Sequence, residues 1–150
     1  MRGTLLVLFS LCSFGQNAVA AQVLFAEHNG SRVRMQIGEA SEDVSTFSIY
    51  YTDPRPALRK EGVVSETLLF EGSIELETGF VSGQARTFKF GCAPLPYVVL
   101  GAYSNILTLN QTLVLSGPAP VFNKVGCAFD HFITGDRAKL IFVPLLPGRH

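Results

Sequence analysis

The sequence contains no tryptophan, little charge and no excess of charge of either sign. Only 16% of its 150 residues are charged, and 12 basic side chains balance 12 acidic ones. This balance provides no positive field for binding nucleic acid or an anionic membrane surface, so we expect neither partner. Because the low charge is combined with 47% hydrophobic residues, the composition also excludes an intrinsically disordered chain.

The apolar run near the N-terminus is too short to cross a membrane. A spanning helix needs about 20 apolar residues, and Thr4 to Phe14 is roughly half that length before polar residues interrupt it. Arg2 before the run and Ala18-Val19-Ala20 after it match the charged start and the cleavage pattern of a signal peptide. We therefore predict a signal peptide over residues 1–21, one domain over residues 22–150, and a secreted or periplasmic protein with no integral membrane segment after processing.

Cysteine and histidine are scarce. Cys12 lies in the predicted signal peptide, so the mature chain keeps Cys92 and Cys127, and an even pair in an exported chain indicates a disulfide. The sequence has 3 histidines, and none lies at the ligand spacing of a zinc site. We therefore expect no metal and no other cofactor.

Alternation of polar and apolar residues recurs along the chain and predicts β-strands. Arg32 to Ile37 alternates throughout, and Leu107, Leu109, Leu113 and Leu115 share one face of a longer run. Asn29-Gly30 between two apolar runs is a strong hairpin signal, and no long stretch has helical periodicity. These patterns predict an all-β fold, a single antiparallel β-barrel or β-sandwich of about 8–10 short strands, and they do not choose between the two.

The segment from Asp53 to Glu61 is the candidate binding loop. It contains two prolines two residues apart, which remove backbone donors and favour an exposed connection. Its cations, Arg55, Arg59 and Lys60, are placed to hold a carboxylate or phosphate of an envelope polymer, or to contact a partner protein. The alternative is a solvated basic loop that balances Asp53 and Glu61.

Two groups of residues suggest catalysis, but neither is complete. Asp130 precedes His131, yet neighbours in a strand point to opposite faces and no G-x-S-x-G motif supplies a nucleophile. Glu75 and Glu77 would share the face of a strand about 7 Å apart, which is the spacing of a catalytic pair and also of a solvated surface. We predict no catalytic residue.

Four segments of the sequence resemble segments found together in a known group of proteins. They are Tyr51-x-x-Pro54-Arg55-x-x-Leu58, Thr67-Leu68-Leu69-Phe70-x-Gly72, Gly83-x-Ala85-x-x-Phe88-x-x-Gly91-Cys92, and Pro96-Tyr97-x-Val99 with Gly101. Together they resemble a set of uncharacterised bacterial exported small β domains. The resemblance implies a bacterial periplasmic setting and a second cysteine downstream of Cys92, where Cys127 fits. It implies no activity and no site, and it argues against glycosylation of the sequons at Asn29 and Asn110, which would require a eukaryotic host.

These observations predict a non-enzymatic secreted or periplasmic module that binds a ligand or an unknown protein or envelope component. Two alternatives stay open. One is a small hydrolase that uses carboxylate or Asp-His chemistry, and the other is a small-ligand carrier with a cavity inside a β-barrel. The sequence does not indicate an oligomeric state.

Overall fold

The computed structural model describes residues 21–40, 43–103 and 111–145. All of the predicted signal peptide except Ala21 lies outside these ranges, as do Leu107, Leu109 and the sequon asparagine Asn110.

Ten strands account for most of the described chain. They are β1 (Gln22–His28), β2 (Ser31–Ile37), β3 (Val44–Asp53), β4 (Leu68–Glu75), β5 (Phe80–Thr87), β6 (Leu95–Ala102), β7 (Leu113–Ser116), β8 (Ala119–Phe122), β9 (Phe129–Ile133) and β10 (Lys139–Pro144). A five-residue helix, α1 (Pro56–Lys60), follows β3, and a 3-10 turn (Gly135–Ala138) precedes β10. The all-β prediction is confirmed.

Eight of the strands form a closed antiparallel barrel in the order β1-β10-β7-β6-β5-β4-β3-β2. β10 closes it by pairing with β1 on one side and β7 on the other. The architecture is therefore the barrel and not the sandwich, which the sequence pattern left open. The remaining strands, β8 and β9, form a two-stranded ribbon inserted between β7 and β10.

The predicted hairpin at Asn29-Gly30 is present. His28 pairs with Ser31, so only these two residues connect β1 to β2. Asn29 has φ 50° and Gly30 has φ 78°, the positive values that a tight hairpin turn requires at both central positions.

Alternation places the core inside the barrel. Val33, Met35 and Ile37 are buried, while the residues between them are exposed or half-buried, as the pattern predicts. The largest fully buried side chains are Tyr103, Phe47, Phe70, Phe142, Met35, Ile37, Ile49, Leu69, Ile74, Leu113, Leu115 and Val33. These side chains fill the barrel interior with a continuous apolar core.

The outer surface of the barrel has two different halves. Strands β2 to β5 present mainly polar and charged side chains outward. Strands β1, β10 and β6 present exposed apolar ones, namely Val23, Phe25, Val98, Leu100, Ile141 and Val143. We call this second half the apolar wall.

Candidate functional site

The connections from β3 to β4 and from β5 to β6 lie close to the β8–β9 ribbon, and the disulfide joins the second of them to the turn of the ribbon. Cys92 lies in the connection from β5 to β6 and Cys127 in the turn of the ribbon, with their Cα atoms 5.3 Å apart. This agrees with the predicted pairing. The bond ties the turn of the ribbon to the barrel.

Besides the disulfide, the side chain of Lys89 also holds the turn of the ribbon. Its ammonium donates hydrogen bonds to the carbonyl oxygens of Asn123 at 2.8 Å and Gly126 at 2.7 Å, and lies 3.4 Å from that of Lys124. Charged donors make the stronger hydrogen bonds of proteins, so this side chain orders the ribbon turn.

The two strands of the ribbon are buried very differently. Ala119 and Pro120 of β8 are buried and β8 lies against β5 and β6, whereas the first four residues of β9 are all exposed. A strand exposed on both faces contributes little to the core. The fold therefore displays β9 without using it to fill the barrel.

A β-bulge shapes the exposed strand. Phe129 pairs with Phe122 and His131 with Val121, so Asp130 is the extra residue between two consecutive pairs. Phe129 and Phe132 would face opposite sides of a regular strand, but the bulge lets their rings lie 4.6 Å apart. The ribbon thus carries an exposed aromatic pair.

The outer edge of β9 has backbone groups at Phe132 that are unpaired within the described residues. Phe132 pairs with Pro120, which has no N–H and therefore cannot exchange a pair of hydrogen bonds with it. The mutual hydrogen bonds of the ladder form instead in the two neighbouring pairs, which are Ala119 with Ile133 and Val121 with His131. The N–H and C=O of Phe132 therefore point away from β8. Within the described chain β9 has no second neighbouring strand, and we term this side the β9 edge.

The three cations of the predicted binding loop do not act together. Arg59 is ion-paired with Asp53, and its Nε donates to the carbonyl of Pro54 at 2.7 Å, while Lys60 is exposed at the end of α1. Arg55 differs from the expectation that all three point outward. It is half-buried, because its backbone N–H is held by the Ser31 hydroxyl at 3.0 Å and its side chain passes beside Gly30.

Arg55 instead lies near the inward side chains at this end of the barrel. Burial lowers the pKa of His28 and the nearby Arg55 guanidinium lowers it further, against the effect of a hydrogen bond to the carbonyl of Ile141. Burial raises the pKa of Tyr51, as does the neighbouring Tyr97, and Arg55 partly offsets this rise. Arg55 thus lies close enough to His28 and Tyr51 to influence the pKa of both, and we call these three residues together with Tyr97 the mouth cluster.

The expectation that Asp130 cannot orient His131 is wrong. Their Oδ2 and Nδ1 atoms lie 2.8 Å apart, because the bulge at Asp130 breaks the strict alternation of the strand. Both side chains are more than half exposed. Within the described residues no serine, threonine or cysteine side chain hydrogen-bonds to His131, so this pair has no nucleophile to activate there.

Glu75 and Glu77 do not form the pair that alternation suggested. β4 ends at Glu75, so Glu77 lies in the following turn, and Glu75 accepts a hydrogen bond from the Thr78 hydroxyl at 2.9 Å. Glu75 pairs with Val44 at the end of β4 away from the ribbon. The acidic residues and Asp130-His131 therefore do not share a cleft.

The described residues include neither a cluster of metal ligands nor a membrane-spanning helix. No group of three or more His, Cys, Asp and Glu side chains there is arranged to hold a metal ion. None of the helices described is long and apolar enough to cross a membrane.

Comparison with known proteins gives no relative. Family models, curated proteins and solved structures all fail to match the chain. The resemblance to exported bacterial β domains therefore stays a hypothesis, and functional inference depends on the geometry of the chain itself.

Sequence reasoning missed the β9 edge and the mouth cluster. Nothing in the sequence of β9 itself marks it as an edge strand. The available signal was Pro120, since proline inside a strand is confined to edges and bulges. No sequence signal brings Tyr51 and Tyr97 together, because they come from β3 and β6, which approach each other only in the closed barrel.

Proposed function

We propose that the protein is a non-enzymatic exported module that binds an extended segment of another protein along the β9 edge. The observation that carries this proposal is the strand itself, which is exposed on both faces and whose outward backbone groups at Phe132 have no partner in the described part of the chain. An extended segment adds to such an edge by main-chain hydrogen bonds, and side chains at alternate positions provide specificity.

Rigidity of the ribbon supports the proposal. The disulfide and the Lys89 ammonium hold the turn, and the buried residues of β8 hold the opposite strand. A preorganised edge loses little conformational entropy when it binds. The exposed rings of Phe129 and Phe132 provide an apolar surface for one side chain of the added segment.

Exposed edges are usually protected against unwanted pairing, commonly by lysine, proline or inward charges. β9 contains neither lysine nor proline, and its one carboxylate, that of Asp130, lies against His131. A β-bulge can also protect an edge, but the bulge of β9 lies at Asp130, so the edge from His131 to Ile133 stays regular and accessible.

The two alternative functions have less support. A hydrolase would need its acidic residues and Asp130-His131 in one cleft, but Glu75 lies in the barrel and Asp130-His131 lies in the ribbon. A carrier would need interior space, and the inward side chains of the described strands pack as a continuous core.

The test uses a variant that changes a single backbone donor. Peptides are selected from a random phage-displayed library on the folded protein, and their affinities are measured by calorimetry. Phe132→Pro removes the outward N–H without touching a ladder bond to β8, and Phe132→Ala is the matched control that keeps the N–H. We expect Phe132→Pro to weaken binding at least tenfold more than Phe132→Ala, and bound peptide to protect the Phe132 amide from hydrogen exchange.

Equal binding to the two variants would contradict the proposal, as would a library that yields no peptide protecting this amide. Sedimentation of the unliganded protein tests whether a second copy of this chain occupies the β9 edge. A dimer that Phe132→Pro dissociates would mean that the edge pairs with a second copy and not with another protein.

A further inference from the structure

The apolar wall is continuous across neighbouring strands of the barrel. Phe25 of β1 is joined to the end of β10, because the Leu145 N–H donates to its carbonyl at 2.9 Å. Ile141 of β10 pairs in turn with Val114 of β7. The exposed Leu100 of β6 lies on the far side of β7. Apolar side chains therefore extend over the outer faces of β1, β10, β7 and β6, which are consecutive in the sheet.

The wall is large for a surface that faces water. Its six side chains are between 45% and 59% exposed, and Phe80 and Leu145 at its margins are each 38% exposed. Together they leave on the order of 600 Å² of apolar surface, the upper limit of what soluble monomers usually carry in one patch. A standard protein interface buries about 800 Å² on each partner, of which rather more than half is apolar. The wall thus supplies the apolar area that a stable dimer needs.

A partner has to pack on the face of this sheet. Each strand of the wall is paired on both sides, because the barrel is closed, so the wall offers no open edge to an added strand. Sheet faces pack against each other about 10 Å apart with interdigitating side chains. A second copy of this chain presents a face of this kind.

The wall also contains a protruding ring and a cleft that can receive one. The ring is that of Phe25, which is 51% exposed. The cleft has a volume of about 350 Å³ and is lined by Ile141 and Val143 of the wall and by polar residues that include Glu27 and Lys139. An aromatic side chain that fills a pocket is a common anchor of protein interfaces. In a two-fold dimer the same surface serves both copies, so one ring and one cleft on each copy are enough for two such contacts.

The charges around the wall favour a second copy over a lipid surface. The rim at the cleft contains Glu27 and Asp136 as well as Arg137 and Lys139, and all four are exposed. Binding to anionic lipid headgroups would need an excess of cations there. The chain as a whole has a formal net charge of 0, so two copies approach each other without net repulsion.

We propose that the apolar wall is the interface of a two-fold homodimer, in which the Phe25 ring of each copy fills the cleft at Ile141 and Val143 of the other. The interface involves β1, β10, β7 and β6 and not β9, so the dimer does not depend on the function proposed for the β9 edge.

Sedimentation equilibrium of the full protein with its disulfide intact tests the dimer. We expect a Kd of about 10 µM or below. Val143→Lys places a charge within the wall and should raise this Kd at least tenfold. Val44→Lys is the matched control and should leave it unchanged, because Val44 is 52% exposed against 50% for Val143 and lies on β3, outside the wall.

Phe25→Ala tests the anchor without adding a charge, and we expect it to raise the Kd at least tenfold as well. Circular dichroism and urea unfolding of dilute protein show whether each variant is folded, and Val98→Lys on β6 replaces Val143→Lys if the latter does not fold. Phe132→Pro, which alters only the β9 edge, should leave the dimer intact. Methyl resonances of Val98 and Val143 should shift between about 5 µM and about 500 µM protein, while those of Val44 should not.

Three results would overturn the proposal. They are a protein that stays monomeric at about 500 µM, equal Kd values for the variants of Val143 and Val44, and a dimer that Phe132→Pro dissociates. A monomer that binds phosphatidylcholine vesicles and loses this binding in Val143→Lys would assign the wall to a lipid surface instead. An unchanged Kd in Phe25→Ala would contradict the anchor.

Discussion

Gly72 of β4 and Gly83 of β5 face each other inside the barrel wall, and the Phe70 ring occupies the space that their side chains would take. The two residues are paired in register. A Cβ on Gly72 would lie 2.7 Å from the Gly83 Cα and 2.9 Å from Phe70 Cζ. A Cβ on Gly83 would lie 2.6 Å from the Gly72 Cα and 2.8 Å from Phe70 Cζ. The pair of glycines therefore admits a fully buried phenylalanine into the core.

Adding a methyl group at this pair should destabilise the barrel. Gly83→Ala forces the backbone of β4 or the Phe70 ring to move, and overpacking of this kind costs about 1–3 kcal/mol in the free energy of unfolding. Urea unfolding measures the loss. Ser82→Ala, one residue earlier in β5 and half-buried, is the control and should change stability far less. Equal effects of the two substitutions would show that the glycine pair is not tightly packed.

Removing the disulfide should cost a large fraction of the stability of the domain. The bond closes a segment with a sequence separation of 35, for which the chain-entropy model gives about 3.5–4 kcal/mol. Cys92→Ala/Cys127→Ala should therefore lower the urea midpoint strongly while far-ultraviolet circular dichroism of the folded state remains that of a β protein. A midpoint within error of the parent protein would contradict the prediction.

Lys89→Met should loosen the ribbon more than the barrel. The substitution removes an ammonium that donates to the carbonyls of Asn123 and Gly126, and we expect a global loss of about 1–2 kcal/mol. Hydrogen exchange should accelerate in β8 and β9 before it changes in β2 to β5. Lys124→Met is the control because its side chain is exposed. Uniform acceleration across all strands would argue against a local role.

The free energy of unfolding should decrease as the pH falls below 6.5, because of His28. Its pKa is lowered from the ordinary value of 6.5, chiefly by burial and also by Arg55, so the unfolded chain binds this proton more readily than the folded one. The contribution of His28 is therefore complete above pH 6.5 and is lost as the pH falls from there toward the folded pKa, with a slope of at most about 1.4 kcal/mol per pH unit.

Urea unfolding between pH 5 and 8 checks this dependence. His28→Gln should flatten the pH profile of stability in that window, while His131→Gln, at an exposed position, should keep it. A parental profile that is already flat below pH 6.5 would show that His28 is not an acid-sensitive group of the folded protein.

Local features of the fold could be predicted from the sequence, because they depend on neighbouring residues. Alternation at Val33, Met35 and Ile37 places these side chains in the core, and Asn29-Gly30 forms the two-residue turn. Closure of the barrel depends on pairing between Ala26 and Pro144, which are separated by most of the chain. No local pattern encodes that contact, so barrel and sandwich were equally compatible with the strands.

Side-chain directions at the candidate sites could be predicted less well. Pro54 and Pro56 identify an extended connection, but the inward turn of Arg55 depends on the Ser31 hydroxyl of another strand. The segment also contains the short helix α1, which begins at Pro56, where the fixed φ of proline suits a first helical turn. At Asp130 the bulge, which is invisible in the alternation, brings the carboxylate to His131.

The position of β10 has a consequence for the order in which the barrel can form. Until β10 docks, β1 and β7 are both open edges, and the strands from β1 to β7 form a curved sheet with apolar residues exposed on its concave side. The pairing of β10 with β1 joins sequence-distant residues and carries a large loop-closure entropy, so we expect it to form late in folding. A single short strand, Lys139–Pro144, therefore decides whether the chain is an aggregation-prone sheet or a closed barrel.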